Sequence, residues 1–486
     1  MRSNLSGQSA ASNATCPPSP QAVLYGQKGE LHRPVKPNII LINCDDLGYG
    51  DLGCYGSNVN QTPALDRMAA EGMRFTDFYM ASPVCSPSRG AMLTGCYPPR
   101  IGFGAFDGRW VLFPGQGLGL NPDEITVASL LKGQGYATQI VGKWHCGDQP
   151  EFLPTRHGFD HYYGIPYSND MGRQREDDTY PPLPLLRDEE VIQAQPDQRG
   201  ITERYVEECV RFMRANSDTP FFLYLAHMHV HLPHYPPERF VRESQNGVYG
   251  AAVACIDWAT DVLLHELKAL GLDDNTLVLF TSDNGSRARD EGGSNGPLRA
   301  TKGTTWEGGQ RVPLIARWPG RIPTGTTCSE LTLSMDFYPT LANLAGAALP
   351  NDRTIDGKDI GALLAGEAGA QSPHEAFFYY KRNSIEAVRA GRWKLHVRKD
   401  DAALCELYDL ETDVGETQDV SAAHPDVVRH LQECIDACAR DIGDEARGMV
   451  GENTRPIGRV DRPDTLTHYD PGDPYMVALY DLKERG

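Results

Sequence analysis

The residues best placed to do chemistry begin at Cys85, which is followed by Ser86-Pro87-Ser88-Arg89-Gly90. Pro is tolerated in a first helical turn and Gly95 is a natural stop, so the spacing predicts a short helix that opens on a nucleophile. Free N–H groups and the positive end of the helix dipole then point at whatever Cys85 attacks, which suits an anionic group. Arg89, four residues on, shares the face of Cys85. Asp45-Asp46 and Asp283-Asn284 offer only hard oxygen ligands, which select Ca²⁺ or Mg²⁺ over zinc. Two adjacent carboxylates beside a buried strand need a cation or strong donors to hold them. Lys143 and His145, in Gly142-Lys143-Trp144-His145, follow a strand end, where such residues taken alone are usually on the surface, and Lys302 stands in a Gly-rich turn region. His227, His229 and His231 alternate on an extended segment and share one face, so a transition-metal site there is a rival reading.

These groups need elements to position them. Residues 38–43, 137–141, 221–226 and 276–280 are near-continuous apolar runs, as expected of parallel strands buried on both faces. Three of them end at Asp45/Asp46, His231 and Asp283/Asn284, and the fourth delivers Lys143. In open α/β sheets the ligand lies beyond the carboxyl ends of the strands. Helices are expected over 62–72 with Thr62 as its cap, and over 127–134, 202–216, 251–270 and 336–345. Residues 75–79 read as a strand leading into the Cys85 loop. The polar, Pro-rich stretch 171–200 reads as a long loop suited to substrate selection. From residue 373 short strands at 376–380, 387–389, 393–397 and 406–408 precede a helix over 425–440. The expected division is an extended lead over 1–36, a catalytic domain over 37–372 and a small α+β subdomain over 373–486. Its last part, 443–486, is Pro- and Gly-rich and resists assignment.

The net charge of −19, from 46 basic and 65 acidic residues, argues against nucleic acid or an anionic membrane surface as partner. It does not exclude an anionic substrate. Surface charges are screened beyond about 8 Å, whereas one Lys at ~4 Å gains about 4 kcal/mol at an effective dielectric near 20. No apolar run in the sequence approaches the roughly 20 residues of a membrane span. The first 20 residues lack an apolar h-region, so a cytoplasmic location is expected, or a periplasmic or secreted one if a signal was removed. The twelve cysteines show no C-x-x-C spacing, and N-x-S/T sequons stand at Asn4, Asn13 and Asn60.

The pattern C-x-P-x-R-G at 85–90 resembles the signature of type I, formylglycine-dependent sulfatases of the alkaline phosphatase superfamily. Matching blocks run from about 37 to 413, including Gly142-Lys143-Trp144-His145, Lys302 and an arylsulfatase A-like or N-acetylgalactosamine-sulfatase-like block at Gly164 to Asp170. The resemblance implies an α/β fold: a large mixed, mostly parallel sheet flanked by helices, plus a small C-terminal antiparallel sheet with one helix. It implies that a formylglycine-generating or radical-type maturation enzyme oxidises Cys85 to Cα-formylglycine. It further implies one Ca²⁺ held by Asp45, Asp46, Asp283 and Asn284 and touching residue 85. The implied reaction is hydrolysis of aryl or carbohydrate sulfate monoesters, in which a hydrated aldehyde attacks sulfur and forms a sulfo-enzyme. Arg89 favours the alkoxide, Lys143 and Lys302 hold sulfate, and His231 protonates the leaving oxygen. His145 then takes a proton to expel sulfate, while Ser168 and His229 stand on the substrate side. Cys146 stands where many relatives have Leu. Two alternatives remain open at this point: a phosphodiester or phosphonate monoester hydrolase of the same superfamily, and an inert anion-binding module with Cys85 unconverted. A two-zinc phosphatase is disfavoured because Asn, not His, follows Asp283.

Overall fold

The apolar runs lie side by side. A computed structural model describes residues 36–174, 179–400 and 402–475. Strands β1 (Asn38–Cys44), β2 (Met73–Phe75), β3 (Ala137–Gly142), β4 (His161–Gly164) and β5 (Pro184–Arg187) join β6 (Glu190–Ala194), β7 (Phe221–Ala226), β8 (Thr276–Ser282), β9 (Leu314–Arg317) and β10 (Thr326–Cys328). They form one sheet in the order β10-β2-β9-β8-β1-β7-β3-β4-β5-β6. The central strands β8, β1, β7, β3 and β4 are parallel, and antiparallel pairs flank them on both sides.

Alternation along each strand assigns the two faces. Ile39, Leu41, Phe222, Tyr224, Leu277 and Leu279 pack in one layer with helices α2 (Cys85–Thr94), α3 (Val127–Gly133) and α6 (Phe337–Ala345). Ile40, Ile42, Leu223, Leu225, Val278 and Phe280 pack on the other, beneath α1 (Pro63–Glu71), α4 (Ile201–Ala215) and α5 (Gly247–Ala269). With 23 residues, α5 is long and apolar enough to cross a bilayer, and most of it is buried in this layer.

Several expectations change. Thr62 makes no capping bond to α1; its hydroxyl accepts from Gly53 N at 2.8 Å. The cap comes from α5, whose Asp257 carboxylate accepts from Ala64 N and Leu65 N at 3.1 and 2.8 Å. The strand expected over 75–79 is split between β2 and Phe78–Tyr79, which pairs with Thr332–Leu333. Asp77 causes the break by turning to Arg311 and Arg389, at 2.9 and 2.8 Å. The stretch expected to be a loop over 171–200 contains the β5–β6 hairpin at the sheet edge, where Pro184 is tolerated as the first residue of a strand.

Strands β11 (Phe377–Lys381), β12 (Ser384–Ala390), β13 (Trp393–Lys399) and β14 (Ala402–Asp409) form an antiparallel meander, covered by Leu431, Ile435 and Ala439 of α7 (Pro425–Asp441). Tyr79, Ala91, Tyr97 and Met335 share that core, so the small sheet packs directly on the α2 region. The unassigned tail returns to the main body: Gly458–Arg459 pairs with Leu118–Gly119, and Arg455 meets Glu124 at 2.6 Å. Residues 1–35, with the expected lead and the sequons at Asn4 and Asn13, lie outside the described residues. Asn60 is buried and donates to the Asp51 carbonyl at 3.0 Å, so it is no glycan acceptor in the folded chain. The eleven described cysteines are free.

Candidate active site

Four neighbouring parallel strands deliver the predicted residues to one end of the sheet. Asp45 and Asp46 follow β1, Asp283 and Asn284 follow β8, His231 follows β7 and Lys143 follows β3. Gly142 makes the last of these possible. Its φ is +114°, and a Cβ there would stand 1.8 Å from the Ala226 carbonyl, so only glycine lets β3 end this close to β7. Lys143 then donates its N–H to that same carbonyl at 2.8 Å and turns its side chain inward.

Cys85 opens α2 as the spacing predicts, and Gly95 ends it in the left-handed region at φ +69°. The cysteine is buried, with 2 % exposure. Its thiol lies 3.6 Å from Asp45 Oδ1. Burial pushes that thiol up to about 12, against the pull of Lys143 and Lys302, so as a cysteine it is a weak nucleophile. Arg89, one turn along, donates from Nε to Asp283 Oδ2 at 2.8 Å and from a terminal nitrogen to the Lys143 carbonyl at 3.0 Å.

The charges are distributed in pairs. Lys143 Nζ is 2.5 Å from Asp45 Oδ2, and Lys302 Nζ is 2.9 Å from Asp46 Oδ2. Burial works against the Asp45 carboxylate; Lys143, His231 and Arg89 overcome it and hold the group far below the usual range. Burial, then Asp45, pushes Asp283 up, and Arg89 opposes them. Asn284 donates from Nδ2 to Asp46 Oδ1 at 2.7 Å, while its Oδ1 is buried and has no hydrogen-bond partner.

Ser168 stands between two other groups. Its Oγ is 3.2 Å from Lys143 Nζ and 3.4 Å from the His231 ring nitrogens. His231 donates from Nδ1 to the Leu232 carbonyl at 2.5 Å, leaving Nε2 3.9 Å from Asp46. Burial, then Lys302, pushes His231 below its ordinary value. His145, at φ +60°, donates from Nε2 to the Leu112 carbonyl at 3.0 Å and keeps Nδ1 free. Burial and the Lys143 charge push it well down, so it is neutral.

The three-histidine reading does not assemble. Ligand atoms of Asp45, Asp46, Cys85 and His231 lie within 4.8 Å of one another, and this is the metal-capable cluster among the described residues. His227 and His229 stand outside it, with both ring nitrogens buried and without hydrogen-bond partners. His229 contributes its backbone instead, its carbonyl accepting from Asp45 N at 3.0 Å, and it does not line the cavity over Cys85.

That cavity holds about 430 Å³. Cys85, His145, Ser168, His231 and Lys302 line its floor, and Arg109, Trp110, Val111, Phe113, Asp170 and Met171 line the rest. The sequence reading missed the 109–113 segment. Its signal was an aromatic, apolar run between glycines that fitted neither strand nor helix.

The family model for sulfatases matches residues 37–347. The chain belongs to the sulfatase family. The C-terminal model of N-sulphoglucosamine sulphohydrolase matches residues 301–441 of this sulfatase. It is 39 % identical over 464 residues to arylsulfatase A of Homo sapiens, covering 85 % of this chain and 90 % of that one. N-acetylgalactosamine-6-sulfatase of Canis lupus familiaris is 43 % identical over 385 residues, covering 76 % and 73 %. The crystal structure of Ps i-CgsB in complex with k-i-k-neocarrahexaose superposes with a TM-score of 0.75 at 31 % identity, covering 86 % of this chain and 95 % of that one. The sulfatase is thus a sulfuric ester hydrolase, and its fold is the large mixed sheet with a small antiparallel one that the resemblance implied.

Proposed function

We propose that this sulfatase hydrolyses aryl or carbohydrate sulfate monoesters with residue 85 in its formylglycine form and one Ca²⁺ held by Asp45, Asp46, Asp283 and Asn284. The donors fit that ion. Three buried carboxylates and an orphaned amide oxygen form a hard, anionic oxygen set, which favours Ca²⁺ over zinc. When present, the two groups supply a hydrated aldehyde as nucleophile and a divalent charge beside it. Cys85, Pro87 and Arg89 are buried in α2, so a maturation enzyme must reach the motif before the chain folds around it.

The rest is work for this chain's own side chains. Lys302 brings an ammonium group to the cavity floor and Lys143, buried against Asp45 and Ser168, a second one beside it; the pair bind sulfate oxygens and offset charge that builds in the transition state. Arg89 holds Asp283 and the Lys143 backbone in place from beneath. Ser168 orients His231, whose Nε2 is the atom that gives a proton to the leaving oxygen. Neutral His145 can accept a proton at its free Nδ1. The observation that carries the reading is this convergence of Lys302, the Ser168 hydroxyl and the imidazoles of His145 and His231 around Cys85 at one cavity floor, with Lys143 buried against Asp45 and Ser168 beside them.

A leaving-group series tests it. A nitrophenolate leaves without a proton and a sugar alkoxide does not, and general acid help is worth about 10²–10⁴-fold where it is needed. His231→Ala should therefore depress kcat/KM far more for a sulfated sugar than for nitrophenyl sulfate, while Lys302→Ala depresses both alike. Equal losses for His231→Ala across the series would show that it only positions sulfate.

A further inference from the structure

The outer part of the cavity contains groups with no task in holding sulfate. Asp170 lines it at 4 % exposure, and its buried Oδ1 accepts no hydrogen bond. A buried carboxylate oxygen in that state costs free energy until a donor reaches it. Arg109 lines the same cavity with its guanidinium 4.2 Å over the Phe113 ring. Arg382, exposed at the turn between β11 and β12, lies 4.9 Å over Trp110, the next residue of the lining. Neither guanidinium has an ion-pair partner among the described residues. Lys381 provides the contrast: it lies over the same Trp110 ring and is already paired with Asp400. In a chain with 65 acidic residues, one arginine in the cavity lining and a second over a lining Trp, both held by aromatic faces and left without carboxylates, are a built feature.

We propose that the natural substrate is an acidic saccharide. The sulfated sugar donates a ring hydroxyl or amide N–H to Asp170, and a second anion on the neighbouring unit, carboxylate or sulfate, is held by Arg109 and Arg382. This rests on the cavity being the sulfate-ester site. A flat aryl or hydrocarbon leaving group would leave Asp170 without a donor and both arginines without an anion, and sites built with buried polar groups discriminate strongly against ligands that do not pair them.

The test uses converted, Ca²⁺-loaded enzyme and three substrates: a monosulfated disaccharide with a uronate, the same disaccharide with its carboxyl reduced to the alcohol, and nitrophenyl sulfate. A charge-assisted hydrogen bond predicts a preference of about tenfold or more in kcat/KM for the uronate over the reduced disaccharide. Arg109→Ala/Arg382→Ala should erase that preference, and Arg109→Glu/Arg382→Glu should reverse it. Asp170→Asn should lower kcat/KM for both disaccharides by about tenfold relative to nitrophenyl sulfate. Equal rates on the two disaccharides, or a preference that survives charge reversal, overturn the proposal. Turnover of nitrophenyl sulfate with neither disaccharide cleaved overturns it while leaving sulfatase action intact. Failure on all three substrates overturns the proposed function itself, and this inference with it.

Discussion

Glu307 lies five residues beyond Lys302 and is fully buried where the catalytic body meets the small sheet. Its Oε1 accepts from Tyr379 and Lys394 at 2.7 and 2.9 Å, its Oε2 from Tyr79 and Arg311 at 2.5 and 3.3 Å, and its N–H donates to Glu416 at 2.8 Å. Three cations, Arg311, Arg389 and Lys394, face three carboxyls, Asp77, Glu307 and Glu416. Burial works against the Glu307 carboxylate, and Lys394, Arg311 and Arg389 outweigh it, holding it well below the usual range. Glu307→Gln keeps the volume and removes one charge. Breaking a buried ion pair in this way costs about 3–5 kcal/mol. The lower end is expected, because burial pushes Glu416 up and Glu307 adds to that push; without Glu307, Glu416 ionises more fully beside Lys394. Urea unfolding at pH 7 should therefore show a loss of about 3 kcal/mol. The pH dependence gives a second signature. For a carboxyl depressed in the folded state, the stabilisation is present above the unfolded value near ~4.3 and lost as pH falls toward the folded one. The gap between wild type and variant should narrow below about pH 4. A variant within ~0.5 kcal/mol of wild type at pH 7, or a gap unchanged on acidification, would refute the reasoning.

Cys85→Ala should abolish turnover and cost no more than about 1 kcal/mol of stability, since it removes one sulfur from a buried site; substantial activity in the pure variant would exclude residue 85 as the nucleophile. Gly142→Ala should cost at least about 3 kcal/mol, because its Cβ would meet the Ala226 carbonyl at 1.8 Å and its φ is +114°. Thermal unfolding and soluble yield measure this, and a wild-type melting temperature would show that β3 can shift. Chelation should remove activity and lower the melting temperature, with Ca²⁺ restoring both and Zn²⁺ neither. Stoichiometric zinc by elemental analysis would overturn the oxygen-site assignment.

Much of the site was legible because its signals are local. Apolar runs of strand length mark β1, β3, β7 and β8 wherever they fold, since burial on both faces requires them. The turns after those runs carry Asp45, Lys143, His231 and Asp283, and the Cys85 to Gly95 spacing sets both ends of α2. His229 shows the limit of that reasoning. Alternation put it on one face with His231, but the backbone leaves the extended path after β7, and its ring ends in the core while its carbonyl holds Asp45.

What the chain alone determined, then, were the elements and the residues at their ends, because periodicity and turn chemistry act between neighbours in sequence. The tertiary structure decided which ends meet. The order β8-β1-β7-β3 brings Asp283, Asp45, His231 and Lys143 together. Long-range polar demand also overrode local signals. Asp257 of α5 caps α1 in place of Thr62, and Asp77 breaks a strand to reach Arg311 and Arg389. Asp170 and Arg109 reach one cavity from distant segments, and Arg382 comes from a third to lie over Trp110 of its lining. A buried carboxylate takes whichever donor the packing presents, and no spacing in the sequence encodes that choice.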